Sequence, residues 1–120
     1  IMGKPLDIKE KVDEVEPKAV IVLIHAEWCG HCKALEPEWK KMENSLDNNE
    51  KDKLIFEVIE SAELDDKLPI LSEKYMNNNA LNYSGFPTIG TIRNNEFEQY
   101  GGQRTAEDLL EWIRKILIDM

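Results

Sequence analysis

The residues best suited to chemistry are Cys29 and Cys32, separated by Gly30 and His31, in a chain of 120 residues with no other cysteine. Two thiols at this spacing can pass between dithiol and disulfide, which points to thiol–disulfide exchange. The pair follows the apolar run Ala19–Ile24 and opens a stretch with helical periodicity, so it stands at a helix start. Unpaired backbone N–H groups and the positive end of the helix dipole favour a thiolate there. Cys29, the outer residue, is therefore expected to titrate below the roughly 8.5 of a free thiol and to be the nucleophile. Cys32, one turn further in, is expected to be more buried and to resolve the mixed disulfide. Gly30 allows close approach and adds little steric cover. The imidazole of His31 is placed to hydrogen-bond to the Cys29 thiolate or, protonated, to pair with it. Such stabilisation of the reduced form makes the pair a stronger oxidant, about 30 mV for each 1.4 kcal/mol or so. The alternative is a bystander surface histidine.

A metal site competes with this reading. Zinc takes four ligands, and Cys29, Cys32, His25 and His31 make up that number, but His31 lies inside the same tight turn and is poorly placed. The expectation is no metal and no organic cofactor, the cysteine pair itself being the redox group. An inert structural disulfide is disfavoured because closing so short a loop stabilises little.

Stepping outward, the pair must be held by the elements around it. Residues 6–15 place Ile8, Val12 and Val15 on one helical face, a lead-in over residues 1–17 that Pro17 ends. Residues 18–25 suit a central strand covered on both sides. Leu35, Trp39, Met42 and Leu46 mark a helix to about Asn48, with Pro37 expected to kink it. Residues 47–53 read as a polar link and 54–59 as a second strand. Pro69 suits the first position of a short helix carrying Leu71 and Tyr75. Residues 76–84 read as a loop, and within it Asn82-Tyr83-Ser84 matches a glycosylation acceptor. Residues 88–93 and 96–100 read as a hairpin turned by Asn94-Asn95. Thr105–Asp108 resembles a capping box for a last helix striped by Leu109, Trp112, Ile113 and Ile116. Trp39 and Trp112 fall on apolar stripes and read as core. The order implies one α/β domain over 1–120, its mixed central sheet flanked by helices on both faces.

Composition narrows the partners. Hydrophobic residues make up 42% and charged residues 32%, as in a soluble globular chain. With 24 acidic against 15 basic residues the net charge is −9. Such a surface repels nucleic acid and anionic membranes, and no apolar run approaches a membrane span. Proteins and small molecules remain as partners, and a monomer is expected.

The motifs also carry a family resemblance. Ala26-Glu27-Trp28-Cys29-Gly30-His31-Cys32-Lys33 resembles the active site of the thioredoxin superfamily, and its Gly-His centre is closest to the catalytic (a-type) domains of protein disulfide isomerases. The following stretch to Trp39, with Pro37, Gly85-Phe86-Pro87-Thr88, and Tyr100, Gly102 and Arg104 are similar too. The resemblance implies the thioredoxin fold and disulfide exchange on protein or peptide thiols, recharged by glutathione or an upstream oxidase or reductase. It makes Cys29 and Cys32 catalytic, with Trp28, Gly30, His31 and Lys33 completing the motif. Trp28, Phe86 and a cis Pro87 would bind substrate, and Arg104 would lower the pKa of the second cysteine. The motif favours the endoplasmic reticulum lumen or another oxidising compartment, with the cytoplasm open.

Three departures from the family stand out. Its buried acid beneath the cysteines corresponds here to Leu23, which makes Glu57 on the neighbouring strand a candidate proton acceptor. His25 occupies a place often aromatic and reads as a core or rim histidine rather than a base. Residues 76–84 form a longer loop than is typical. Alternatives to the isomerase-like reading are a thioredoxin-type disulfide reductase and a redox-weakened chaperone or binding module of the same fold.

Overall fold

A computed structural model describes residues 18–120. The expected helical lead-in over 1–17 lies outside the described residues. The chain runs β1 (Ala19–His25), α1 (Gly30–Ser45), α2 (Asn48–Asp52), β2 (Leu54–Glu60), a 3₁₀ turn (Ser61–Glu63), α3 (Leu64–Tyr75), β3 (Thr88–Arg93), β4 (Glu96–Gln99) and α4 (Ala106–Ile118). The four strands form one sheet in the order β2-β1-β3-β4. β1 pairs parallel with β2, and β3 pairs antiparallel with both β1 and β4. This is the expected mixed sheet.

The apolar run of β1 is buried on both faces because alternate side chains feed two separate cores. Ala19, Ile21 and Leu23 pack with Leu35, Trp39 and Met42 of α1 and with Leu109, Ile113 and Ile116 of α4. Val20, Val22 and Ile24 pack with Ile59 and with Leu64 and Leu71 of α3. Helices α1 and α4 therefore cover one face and α3 the other. Trp39 is buried as expected, whereas Trp112 is only half-buried and lies against the ring of Tyr100. Among the described residues, no helix is long and apolar enough to cross a membrane.

Several boundaries differ from the sequence reading. α1 ends at Ser45 rather than near Asn48 and runs unbroken through Pro37. The supposed polar link contains α2, a helix of five residues closed by a capping box between Asp47 and Glu50. Pro69 does not start α3; it lies in the helix interior, where Asp65 and Pro69 both face solvent. Water can then satisfy the carbonyl that a proline N–H does not reach. At α4, Thr105 accepts from the Asp108 N–H, so this half of the predicted box is made, and the Ala106 N–H is taken by Glu38 of α1. That last bond ties α1, which carries the cysteines, to the start of α4. The β3–β4 turn is as expected, with Asn94 and Asn95 both at positive φ, as a type I′ turn needs.

Candidate active site

Cys29 is the N-cap of α1. Its extended backbone points the side chain back over the helix start, where Sγ accepts the Cys32 N–H at 3.2 Å. A capping position normally filled by an oxygen is thus filled by sulfur, and charge on that sulfur is solvated by the helix itself. α1 carries no acidic residue in its first turn to oppose this. The Cys29 thiol also donates to the carbonyl of Phe86 at 3.5 Å, across the cis Phe86–Pro87 bond foreseen in the sequence. Thr88 braces that turn by donating to the Gly85 carbonyl.

Both cysteines are free thiols. Their surface exposures are nearly equal, 7% for Cys29 and 8% for Cys32, yet Cys32 is the one whose thiol burial dominates, as expected of the inner sulfur. Phe86 packs over both. What separates them is burial at Cys32 and hydrogen bonding at Cys29. Cys29 is held below the ordinary thiol range, chiefly by the Cys32 thiol donating to it; burial opposes this, while the N–H groups of Cys32 and His31 and the Arg104 charge assist. Cys32 is pushed up, first by burial and then by serving as donor to Cys29, with Arg104 partly offsetting. The two thiols are divided into a nucleophile and a proton-holding partner.

Other predicted residues fall on either side of this pair. Trp28 is 72% exposed and meets Phe86 edge-on at 5.6 Å. Tyr83 packs on the same ring at 5.9 Å, which gives an aromatic rim beside Cys29. The sequence reading missed Tyr83 and treated it only as part of a glycosylation triplet, although an aromatic three residues before Phe86 was a usable signal. Lys33 is exposed, with its backbone N–H making the first turn's bond to Cys29. Gly30 is open on all sides, as its role as a low-cover spacer requires.

His31 differs from expectation. The group that acts on Cys29 is its backbone N–H, while its side chain is exposed and borders a cavity of about 460 Å3 shared with Tyr100, Gly102 and Arg104. Arg104 is held at this cavity by its loop, where Tyr100 packs on Trp112 at 4.7 Å and donates to the Gln103 carbonyl. The arginine's charge lowers Cys32, as the resemblance implies, and Cys29 as well, though it is the weakest of the causes in each.

Glu57 is a correction. In the parallel register it pairs with Val22, on the face covered by α3, and Val58 pairs with Leu23 beneath Cys32. Glu57 instead accepts a 2.7 Å bond from the Tyr75 hydroxyl. That tyrosine is pushed up to about 12, by burial first and by the carboxylate second. Glu57 therefore cannot serve Cys32. The residue that does act at this end of β2 is Glu60, which sequence reasoning passed over. Its carboxylate accepts from the N–H groups of Glu27 and Ala62 and from the Ser61 hydroxyl, pinning the loop that leads to Cys29. His25 and His31 line different cavities, so the four candidate zinc ligands are not gathered together.

A helix-capping thiol of lowered pKa beside a second, proton-retaining thiol is the arrangement that thiol–disulfide exchange requires. The chain belongs to the thioredoxin family, whose sequence model matches residues 5–115. It is 33% identical over 96 residues to the protein disulfide-isomerase of Drosophila melanogaster and 34% identical over 98 residues to that of Medicago sativa. Each alignment covers 80% of this chain but 17% of the relative, so the chain spans about a sixth of their length. The solution structure of the first thioredoxin domain of mouse protein disulfide-isomerase A4 is similar at a TM-score of 0.57 and 26% identity, covering 91% of this chain and 69% of that one.

Proposed function

We propose that this domain exchanges disulfides with protein or peptide substrates in the manner of a protein disulfide isomerase. The observation that carries the reading is the opposite displacement of the two thiols, Cys29 down and Cys32 up, beside an aromatic rim. The Cys29 thiolate attacks one sulfur of a substrate disulfide; a Cys29–substrate disulfide forms and the other substrate sulfur leaves as thiolate. Cys32, once deprotonated, attacks Cys29 Sγ, the Cys29–Cys32 disulfide forms and the substrate leaves reduced. Run backwards, the same steps oxidise a substrate dithiol. Glutathione or an upstream oxidase or reductase resets the pair, and no metal or organic cofactor enters the scheme. Trp28, Tyr83 and Phe86 supply apolar contact for an extended segment, and the cis-proline turn supplies backbone for pairing.

The test is recovery of activity by a scrambled disulfide-containing protein in a glutathione buffer. The wild type accelerates it and Cys29→Ser does not. A strongly reducing equilibrium potential against glutathione would instead favour a thioredoxin-type reductase. A redox-weakened binding module also has an observation behind it: the surface beneath Cys32 is the apolar Leu23. Retention of client binding and biological activity by Cys29→Ala would establish that reading.

A further inference from the structure

The exchange scheme above leaves one proton unaccounted for, and the inference rests on that scheme. Cys32 must ionise before it attacks, yet its surroundings hold the proton on it. Its side chain borders a cavity of about 240 Å3 whose walls include Leu23, His25, Leu35, Trp39 and Val58. That volume accommodates several waters at roughly 30 Å3 each. Leu23 and Val58 offer nothing that can accept a proton.

His25 does. It lies two residues along β1 from Leu23, so strand alternation puts both on the face that carries α1. It is half-buried at the strand's end, and its register partner on β2 is Glu60. The Glu60 carboxylate is held below its usual range, first by the Ala62 N–H, then by that of Glu27, with His25 itself a further favourable charge. Glu60 therefore stays ionised and does not take a thiol proton; it stands beside His25 as a fixed negative charge. The remaining charged groups on the cavity come from α1: Glu36, Lys40 and Glu43. Lys40 brings hydrogen-bond donors and no acceptor. Glu36 is exposed to water, and Glu43 lies eleven residues, about three turns, along α1 from Cys32. Glu27 lends Glu60 its backbone N–H.

We propose that His25 is the proton acceptor for Cys32 and that Glu60, its register partner on β2, positions that histidine. The Cys32 proton passes to an imidazole nitrogen across the cavity, and the Cys32 thiolate attacks Cys29 Sγ. The Cys29–substrate bond breaks, and its electron pair leaves on the substrate sulfur. Cys32 and Cys29 end as the disulfide, the substrate sulfur is reduced, and the imidazolium gives its proton to the departing thiolate or to water. A histidine thus performs at this site, from the strand's end, the proton transfer that its apolar floor cannot.

The experiment follows the reduced full chain reacting with oxidised glutathione, separating second-order capture at Cys29 from first-order closure of the Cys29–Cys32 disulfide by acid quench and mass analysis. His25→Gln is expected to leave capture within about twofold and to slow closure by about 100-fold at neutral pH, the low end of what a positioned acid–base group supplies. It should also flatten the loss of closure rate on acidification. Glu36→Gln and Glu43→Gln are expected to leave both steps unchanged. Unaltered closure in His25→Gln, or transfer of the effect to Glu36→Gln or Glu43→Gln, overturns the proposal. A readout that needs no variant is the wild-type NMR titration of the His25 ring, whose midpoint must coincide with that of the closure rate; separate midpoints overturn it as well. Absence of capture in the wild type would instead remove the exchange reading itself.

Discussion

Gly102 connects the stability of the last loop to the reactivity of the cysteines. A Cβ built there would lie 2.6 Å from the Tyr100 hydroxyl oxygen, 2.7 Å from Cζ and 2.9 Å from Cε1. All three are closer than carbon contacts allow, so in Gly102→Ala the ring has to swing away. It is wedged against Trp112, and moving it breaks the hydroxyl's bond to the Gln103 carbonyl. A net hydrogen bond is worth about 1 kcal/mol and an aromatic pair about 0.5–1.5 kcal/mol. The expected loss is therefore about 1–2 kcal/mol, or roughly a 5–10 °C fall in Tm for a domain of this size. Tyr100→Phe removes the hydrogen bond alone and should cost about half as much. Because the same loop carries Arg104, whose positive charge lowers both thiols, its displacement raises both. The pH profile of Cys29 alkylation should then shift upward, in the direction of Arg104→Gln and by no more than that variant. Thermal unfolding by circular dichroism and alkylation rates across pH give the two readouts. A Gly102→Ala domain as stable as the wild type, or a profile shifted downward, would refute the reasoning.

Other outcomes follow from neighbouring contacts. Cys32→Ala removes the largest cause of the lowered Cys29 thiol, so the alkylation profile should move to higher pH, and Cys32→Ser, which keeps a donor, should move it less. In Gly90→Ala the new Cβ would meet the Glu98 carbonyl oxygen and the Phe97 ring, both at 2.4 Å, so β4 must shift. Chemical denaturation should show a loss of about 1–3 kcal/mol, with Cys29 alkylation rates unchanged. Arg114 forks onto Glu50, at 2.7 Å from Nε and 3.2 Å from Nη2, and joins α4 to α2. The pair is solvent-screened and worth under about 1 kcal/mol. Glu50 is held below the usual carboxylate range, chiefly by Arg114, so its contribution is present above the unfolded-state pKa and lost as pH falls through the folded one. Glu50→Gln should abolish that acid-side loss, measured as urea midpoints at pH 7 and pH 3, and the wild-type difference should shrink in high salt.

Much of the fold was legible because its signals are local. An uninterrupted apolar run marks β1, the Asn94-Asn95 pair marks the hairpin, and the stripe Leu109–Ile113–Ile116 marks α4. The placement of the cysteines was legible for the same reason: a helix start, an N-cap and a buried strand before it are all encoded within a dozen residues. α2 escaped because it buries nothing, so periodicity is silent, yet its capping box was written in Asp47 and Glu50. The start of α3 escaped because a proline was read as a boundary where solvent lets it sit inside a helix.

The second proton site was not legible, and the reason is parity. Whether Glu57 or Val58 lies beneath Cys32 turns on one residue of register between β1 and β2, and a slip of one exchanges the faces of the whole strand. Nothing local in Leu54–Glu60 fixes that offset, because its residues alternate weakly and both faces of the sheet are covered. The face of His25 turns on the same parity. It reads as a core or rim residue and is half-buried at the strand's end, and its parity with Leu23 places it on the α1 face, where the cavity beneath Cys32 opens. Long-range pairing separated two residues of similar promise: the carboxylate became the hydrogen-bond partner of a tyrosine, and the imidazole came to share a cavity with the thiol that, in the proposed scheme, has to lose its proton.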